Sequence, residues 1–357
     1  MRNAMTWIKK ITKTCSYLIF LLFSVAVLLE IIFRLLPTTT PVDLQAVTSE
    51  EDILRFYPNQ TAVFSLGGNF YKTVIKETNN AGFYSSFNFQ KNKKPRIMII
   101  GDSYVEAAQI KNSDTLGEVI AAKDNKKDIY QMGVSGVPIS QYIKMIEYAQ
   151  NNYEPDHFVI VIIGNDFDQS LCEFRIKLGT WCFDENFKLI FNPFDGYTGL
   201  RSYARQSAFA RYIFLQAGIN WRDLMAALKL KPQGMEADTE YAGNVKRFKR
   251  HDIFDRSVIV VDRFFEELDK LKIIDKVTLV LDADRSDIYN NRQTESYFQK
   301  MREYTIIEAN ANGVRLVDMR PIFADDYKDH KIKFEFPTDG HWNERAHKLV
   351  AEALTAN

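Results

Sequence analysis

The stretch PRIMIIGDSYVEA, residues 95–107, joins an apolar run to a small polar turn. Residues 96–101 are apolar enough for a buried strand, and the Gly-Asp-Ser that ends the run is typical of a tight turn. A helical segment resumes immediately afterwards. Two interpretations follow from this pattern. Either Asp102 or Ser103 caps the next helix, or Ser103 is held at the tip of a sheet because it is a nucleophile.

From residue 96 onward the chain alternates between apolar runs and amphipathic segments. The predicted strands are residues 96–101, 128–134, 157–166, 276–284 and 314–321. The predicted helices are residues 113–123, 140–153, 257–272, 294–313 and 343–354. Apolar strands that alternate with helices are typical of a parallel sheet covered on both faces. The sequence therefore predicts a doubly wound, three-layer α/β/α sandwich with a central parallel sheet.

Two regions do not follow the alternation. Residues 38–94 are rich in polar and aromatic residues and are predicted to form a small subdomain beside the main domain, residues 95–357. Residues 167–255 form a long insertion after the third predicted strand, at the edge of the sheet where insertions often shape a substrate site. Within it, residues 179–191 read as a hairpin, and residues 234–252 form a polar segment.

The N-terminal region, residues 1–37, has the features of a membrane anchor. Its apolar run is long enough to cross a bilayer, since about 20 helical residues span about 30 Å. Glu30 and Arg34 interrupt the run, and their spacing of four residues lets them pair on one helix face. Basic residues precede the run and acidic residues follow it, so the positive-inside bias predicts that residues 38–357 are exported. No small-residue cleavage site follows, which favours an uncleaved anchor over a removed signal peptide or a buried helix.

Composition sets further bounds. The 357 residues carry a formal net charge of zero and 46% hydrophobic residues, which fits a globular protein and gives no sign of a nucleic-acid partner. Of the three cysteines, Cys172 and Cys182 fall in the exported part, where a disulfide between them would persist. Because no histidines neighbour them, they make a poor zinc site.

Four short segments carry the chemistry. They are GDS at 101–103, GVSG at 133–136, GND at 164–166 and TDGHW at 338–342. The first three follow predicted strands, so they are expected at the carboxyl edge of the sheet, where open α/β sheets bind ligands. Together, and in this order, the four segments resemble the SGNH (GDSL-type) hydrolase superfamily over about residues 95–357.

The resemblance implies a serine ester hydrolase on a flavodoxin-like sheet that needs no metal or other cofactor. It assigns Ser103 as nucleophile, His341 as base and Asp339 as the acid, with an oxyanion hole from the Ser103 amide, the Gly136 amide and the Asn165 side chain. These residue types suit the roles. A serine hydroxyl needs a base to take its proton, an imidazole titrates near neutral pH, and a carboxylate fixes the imidazole tautomer.

Other interpretations of the same residues remain open. Gly133, rather than Gly136, is a second candidate for the backbone oxyanion donor. The remaining alternatives are Ser103 as a turn residue, Asn165 and Asp166 as a helix cap, His341 as a structural histidine, and a metal site of Asp339, His341 and His347.

The chain departs from the family pattern at three places. The last block is Asp339-Gly340-His341, one residue shorter than the usual Asp-x-x-His, so a backbone carbonyl is an alternative partner for the imidazole. Ala107 stands where a glycine is usual. Residues 77–86 resemble a segment that precedes the GDS block in anchored members, but Tyr84 replaces the usual arginine.

Anchor and resemblance together imply a single-pass protein of a bacterial inner membrane with its site on the periplasmic side. The expected substrate is an acylated glycan of the cell envelope, with acetyl as the expected group. Aromatic residues of the insertion would form a sugar-stacking wall or simply pack: Trp181, Phe183, Tyr197, Tyr203 and Tyr212. The alternatives are an O-acetyltransferase with a multi-span membrane partner, a non-catalytic glycan-binding protein, and a lipid-directed esterase.

Overall fold

The computed structural model describes residues 2–50, 52–90, 94–217, 219, 241–242, 245–246, 251–293, 295–337 and 339–356. They fall into two compact units. The N-terminal unit comprises Met1–Pro41, Val63–Thr73 and Tyr197–Gly234, and the sheet unit comprises Val42–Ala62, Val74–Gly196 and Met235–Asn357. Most of the polar segment at 234–252 lies outside the described residues. The domain boundaries placed at residues 37 and 94 stay a prediction.

The N-terminal unit contains helix α1, Arg2–Leu35. Its part Lys10–Leu35 is long and apolar enough to cross a membrane. In the most apolar 18-residue stretch of this part, no residue is buried against the rest of the described chain. The predicted pair on this helix is confirmed, since Arg34 Nε lies 2.7 Å from Glu30 Oε1. An exposed apolar helix of this length is the form that a membrane span takes.

The same unit contains a second group of helices. They are α5 Gly199–Gln206, α6 Ala208–Arg211 and a π-helical turn Tyr212–Gln216. The Glu30 carboxylate accepts hydrogen bonds from Ser207 Oγ at 2.8 Å and from the Ala208 and Phe209 amides at 3.0 Å. Glu30 therefore satisfies the first amides of α6, which would otherwise lack partners, and a carboxylate is favoured at a helix N-terminus.

The sheet unit is built on five parallel strands. They are β3 Arg96–Gly101, β4 Asp128–Gly133, β5 His157–Ile162, β10 Val277–Leu281 and β11 Arg315–Asp318. Their order across the sheet is β11-β10-β5-β3-β4, and every neighbouring pair is parallel. The predicted central parallel sheet is confirmed.

Helices cover both faces of this sheet. Leu116 and Ile120 of α3, Leu116–Lys123, share a buried apolar cluster with sheet residues Ile99 and Val159. Helices α10 Met319–His330 and α11 Glu344–Thr355 contribute to the same cluster. On the other face, α4 Ile139–Tyr153 packs against β3 and α7 His251–Lys270, and α7 packs against α9 Tyr297–Ala311. The three-layer α/β/α sandwich is confirmed.

Shorter elements complete the described chain. The strands are β1 Thr61–Leu66, β2 Lys72–Glu77, β6 Thr180–Phe183, β7 Leu189–Asn192, β8 Tyr241–Ala242, β9 Val245–Lys246, β12 Glu335–Phe336 and β13 Asp339–Trp342. The helices are α2 Ser103–Glu106 and α8 Arg285–Tyr289, with 3₁₀ turns at Asn112–Asp114, Asp168–Ser170 and Ile274–Lys276. The predicted hairpin is the antiparallel pair β6–β7.

The last predicted strand is too long. It was expected over residues 314–321, but β11 ends at Asp318 and α10 begins with the next residue. The Asp318 side chain accepts a hydrogen bond from the Arg320 amide at 2.9 Å and so caps α10. Pro321 lies in the first turn of the helix, where a missing amide proton is tolerated. The apolar residues that suggested a strand continue into the buried side of this helix.

The insertion carries a disulfide between Cys172 and Cys182, with sulfur atoms 2.02 Å apart. Two of the aromatic residues proposed as a sugar-stacking wall, Trp181 and Phe183, are buried in the sheet unit, so packing is their role. The other three, Tyr197, Tyr203 and Tyr212, belong to the N-terminal unit.

Candidate active site

Ser103 lies in the turn between β3 and α2. A Cβ on Gly101 would lie 2.4 Å from Val105 Cγ2, so only glycine allows the strand to turn this tightly into the helix. The helix cap is Asp102, whose Oδ1 accepts from the Tyr104 amide at 2.9 Å. Because Asp102 caps the helix, Ser103 is not needed as a cap, and its side chain is half-buried rather than enclosed.

The Asp102 carboxyl also accepts from Ser103 Oγ, with 3.2 Å between the oxygens. Burial raises the pKa of Asp102 above the ordinary aspartate value, although the Tyr104 amide and the charge of His341 act in the opposite direction. Helix α2 ends at Ala107, which adopts the left-handed conformation with φ of 50°. That conformation explains why a glycine would suit this position.

The two candidate glycines after β4 have different environments. Gly133 ends the strand, and a Cβ there would lie 2.1 Å from the Glu106 amide nitrogen, so Gly133 allows α2 to pack closely on β4. Gly136 lies in the loop beyond, with φ of 69° and a half-buried backbone. This geometry favours Gly136 as the residue whose amide faces a ligand.

Asn165 lies in the loop after β5, half-buried, and Asp166 beside it is buried. Asp166 Oδ2 accepts from the Ile163 amide at 2.8 Å and from Tyr142 Oη at 2.9 Å. Asp166 thus braces the loop from inside and leaves Asn165 at the rim. Burial raises the pKa of Asp166 well above the ordinary aspartate value, and the nearby Asp102 raises it further.

The strand order brings these three loops together. Strand β3, which leads to Ser103, lies between β4, which leads to Gly136, and β5, which leads to Asn165. All three strands are parallel, so their carboxyl ends meet at one edge of the sheet. The loops also bond to each other, since the Ile139 amide donates to the Asp166 carbonyl at 3.4 Å.

Asp339 and His341 form a hydrogen-bonded pair on β13. The Nδ1 atom of His341 bonds to Oδ1 of Asp339, and the His341 amide donates to the same oxygen at 2.9 Å. Residues two apart in a strand point to the same side, so the short Asp-x-His spacing still joins carboxylate and imidazole. The carboxylate, rather than a backbone carbonyl, is therefore the partner of Nδ1. Burial would raise the pKa of Asp339, but the bonds from His341 outweigh it and lower that pKa.

Gln109 contacts both members of this pair. It was not singled out from the sequence. Its Nε2 lies 3.2 Å from Oδ2 of Asp339 and 2.9 Å from Nδ1 of His341. With the proton on Nδ1, Asp339 accepts that proton, and Gln109 donates to the second oxygen of the same carboxylate. The spacing of Gln109 from Ser103 follows no motif, so the sequence carried no signal for it.

Two buried residues bring the His341 segment to the Ser103 turn. Tyr104, the neighbour of Ser103, donates through its hydroxyl to the Gly340 carbonyl at 2.9 Å. Arg285 donates to the same carbonyl at 2.7 Å and to Tyr104 Oη at 2.8 Å. The rings of Tyr104 and His341 lie 5.0 Å apart. The fourth sequence block is thus fixed beside the first, although Thr338 within it lies outside the described residues.

His347 does not join the site. It is buried on α11, where its Nδ1 accepts from the Leu116 amide at 3.2 Å, and burial lowers its pKa to about 3. Within the described part of the chain, no group of three or more His, Cys, Asp or Glu residues could hold a metal ion. Tyr84, at the position of the usual arginine, is buried, and the Lys76 ammonium lies 5.5 Å from the centre of its ring.

By sequence, neither a protein family nor a curated protein matches the chain. By structure, it is similar to a member of the lipolytic G-D-S-L family from Veillonella parvula DSM 2008, with 12% identity, a TM-score of 0.39 and coverage of 72% of this chain and 94% of that one. It is also similar to an acetyl xylan esterase, with 13% identity, a TM-score of 0.39 and coverage of 72% and 97%.

A further similar structure is a two-domain esterase active on acetylated mannans, with 14% identity, a TM-score of 0.37 and coverage of 73% of this chain and 48% of that one. Similarities at this level carry neither an activity nor a substrate to this chain. The function is therefore argued from the geometry of its own site.

Proposed function

We propose that the protein is a membrane-anchored serine esterase that removes O-acyl groups, with acetyl as the expected group, from a glycan outside the cytoplasm. One observation carries the proposal. Ser103, Gly136 and Asn165 follow three adjacent parallel strands, and the Tyr104 hydroxyl, next to Ser103, donates to the carbonyl of Gly340, which lies between the hydrogen-bonded Asp339 and His341. A nucleophile, a base with its orienting acid, and amide donors are thus assembled in one place.

The first step is attack of Ser103 Oγ on the ester carbonyl carbon. Because Asp339 holds the Nδ1 proton of His341, Nε2 is the nitrogen that takes the hydroxyl proton. The carbon–oxygen bond to the sugar then breaks, and His341 returns the proton to the departing sugar oxygen. Water, deprotonated by His341 in turn, attacks the acyl-serine and releases the carboxylic acid with free Ser103.

The negative oxygen of the tetrahedral intermediate needs preorganised donors. The amides of Ser103 and Gly136 and the side-chain amide of Asn165 are the candidates, one from each loop. Losing one such donor typically lowers the rate about 100- to 1000-fold. Buried Asp166, which accepts from the Ile163 amide, restrains the loop that carries Asn165.

The anchor helix and the charge pattern around it support an exported site. Basic residues precede Lys10–Leu35 and acidic residues follow it, so residues beyond the helix are expected on the periplasmic side of a bacterial inner membrane. The Cys172–Cys182 disulfide fits an oxidising compartment. The glycan and its acetyl group follow from the resemblance together with this location.

The test uses the full-length protein in detergent micelles, with Ser103→Ala and the exposed-site control Ser113→Ala. Release of p-nitrophenol from acetate, butyrate and octanoate esters and of acetate from acetylated xylan would be followed. Turnover that is fastest with acetate, is lost in Ser103→Ala and persists in Ser113→Ala is expected. Turnover that survives in Ser103→Ala would contradict the proposal.

Three other outcomes point to the alternatives. A folded protein that transfers acetyl to an added glycan but releases no acetate would be an O-acetyltransferase. A folded protein whose Ser103 does not react with a fluorophosphonate probe and that binds glycan without turnover would be a binding protein. Fastest turnover of octanoate would favour a lipid substrate.

A further inference from the structure

Charged side chains bond to both backbone polar groups of Ser135, the residue before Gly136. The Nζ of Lys177 donates a hydrogen bond to the Ser135 carbonyl oxygen. The Glu106 carboxylate accepts a hydrogen bond from the Ser135 amide. Neither Lys177 nor Glu106 was singled out from the sequence. Lys177 comes from the insertion, whereas Glu106 comes from α2, the helix that starts at Ser103.

The Lys177 contact bears directly on the amide of Gly136. In a trans peptide, the carbonyl of one residue and the N–H of the next belong to one rigid plane and point in opposite directions. A donor that fixes the Ser135 carbonyl therefore also fixes the direction of the Gly136 N–H. Gly136 has a positive φ, a region in which glycine is flexible, so the loop gains little rigidity from its own backbone.

The loop that presents Lys177 is itself anchored. Thr180 Oγ1 donates to the Lys177 carbonyl at 2.8 Å. The Cys172–Cys182 disulfide closes the loop around it, and the Cys172 amide donates to the Phe183 carbonyl at 2.9 Å. The ammonium thus reaches the Ser135 carbonyl from a closed loop rather than from a freely moving chain.

The charges suit the same role. A cation at the carbonyl end of a peptide polarises it and strengthens the N–H at the other end as a donor. As the substrate carbonyl becomes an oxyanion at the Gly136 N–H, the charge of Lys177 favours that state over the neutral ester. Burial lowers the pKa of Lys177 to about 8, against the attraction of Glu106, so the ammonium persists at neutral pH.

We infer that Lys177 is a positioning residue that orients and polarises the Gly136 amide of the oxyanion hole, and that the Cys172–Cys182 loop holds it in place. The inference rests on the proposed function, because Gly136 acts as an oxyanion donor only if Ser103 is the nucleophile.

The test compares full-length Lys177→Met and Lys177→Arg with the matched control Lys144→Met. Lys144 is also a half-buried lysine of the sheet unit. Its Nζ pairs with Glu147 at 2.9 Å and lies 4.8 Å from the centre of the Trp181 ring, so the variant controls for loss of a lysine that packs on the same disulfide-closed loop. The measurements are kcat and KM for p-nitrophenyl acetate, the rate at which a fluorophosphonate labels Ser103, and the midpoint of thermal unfolding.

Lys177→Met is expected to lower kcat and the labelling rate together about 10- to 100-fold, somewhat less than outright loss of a donor. KM and the unfolding midpoint should stay near the wild-type values, since neither substrate contact nor the core changes. Lys177→Arg should recover most of the rate, because a guanidinium can donate to the same carbonyl. Lys144→Met should behave like the wild type.

The two proposals fail in different ways. If Ser103→Ala loses turnover but Lys177→Met keeps the wild-type kcat and labelling rate, the inference about Lys177 is wrong and the esterase stands. It is also wrong if Lys177→Met changes only KM, or if Lys144→Met loses as much kcat as Lys177→Met. If Ser103→Ala retains turnover, the esterase proposal fails first. Should the wild type hydrolyse no ester yet react with the probe, the labelling rate alone decides the role of Lys177.

Discussion

The side-chain amide of Gln109 donates to Oδ2 of Asp339 across 3.2 Å, while Oδ1 of the same carboxylate holds His341. Each oxygen of Asp339 thus has its own donor, which fixes the carboxylate in the plane that the imidazole needs. A short Asp-x-His segment on a small two-stranded sheet gains from such bracing, because the His341 amide also bonds to Oδ1 and leaves Oδ2 to Gln109.

Replacing Gln109 tests this bracing. Gln109→Leu keeps the volume but removes the donor, and we expect kcat to fall about tenfold, the factor that corresponds to about 1.4 kcal/mol in the barrier. KM should change little. Gln150→Leu is the control, since Gln150 bonds only weakly to the Leu271 carbonyl at 3.4 Å on the far end of α4. Equal kcat values for Gln109→Leu and the wild type would show that Asp339 needs no second donor.

Replacing Asp339 tests the orientation of the base. Asp339→Asn can no longer accept the Nδ1 proton reliably and so allows the wrong tautomer of His341. By analogy with other triads, kcat should fall about 10,000-fold with small changes in KM. Steady-state kinetics with p-nitrophenyl acetate would measure this. A loss below tenfold would mean that another group orients His341.

Replacing Gly136 separates backbone strain from loss of the oxyanion donor. Gly136 and Gly313 have φ of 69° and 68°, so alanine should destabilise either position by about 1 kcal/mol. At Gly136 a Cβ would also lie 3.2 Å from the Arg175 guanidinium, whereas nothing lies within 4 Å at Gly313. Only Gly136→Ala should lose activity, by about 100-fold or more. Similar kcat values for the two variants would leave Gly136 without a role in the site.

The pH dependence of turnover tests the charge on Lys177. Its pKa is lowered to about 8 by burial, with Glu106 and Asp102 raising it and Arg175 lowering it further. As pH rises through about 8, the ammonium loses its proton, and kcat should decline. Lys177→Arg stays charged and should keep its kcat above that pH. A decline that is the same in both proteins would assign the titration to another group.

Stability against pH tests buried Asp166. Its pKa is raised in the folded protein, so the folded state binds a proton that the unfolded state has lost between pH 3.8 and that raised pKa. The free energy of unfolding should therefore decrease as pH rises through this window. Asp166→Asn removes one such titration and should make the profile measured by urea unfolding shallower, while Asp102 and Asp168, whose pKa values burial also raises, keep the remaining slope. Asp275→Asn, at an exposed carboxyl, should leave the wild-type slope, and an unchanged slope in Asp166→Asn would refute the expectation.

The parallel sheet could be predicted because its strands are apolar on both faces. Runs such as residues 157–162 have no other stable place than the middle of a sandwich, and the glycines after them mark the turns. The end of β11 was misplaced because Met319 and Ile322 suit a strand or a buried helix equally. A side-chain cap by Asp318 decided between them, and such a cap depends on the local backbone.

The residues of the candidate site also divide into those that the sequence could suggest and those that it could not. Ser103, Gly136, Asn165, Asp339 and His341 could be proposed because each lies in a short block at a strand end or a terminal loop. The residues that support them were missed. Gln109, Glu106, Lys177 and Arg285 lie in no block, and their contacts join positions that are far apart in the chain.

The sequence by itself determined the long apolar N-terminal helix, the alternation that builds the sandwich and the residue types at the carboxyl edge of the sheet. Hydrophobic periodicity and turn chemistry depend on residues that are close in the chain, so the sequence alone is enough to recognise them. Only the tertiary structure decided that Asp102 caps α2, that Asp339 rather than a carbonyl holds His341, and that Lys177 reaches Ser135. Each of these depends on the positions of atoms in three dimensions, which packing fixes and residue order does not record.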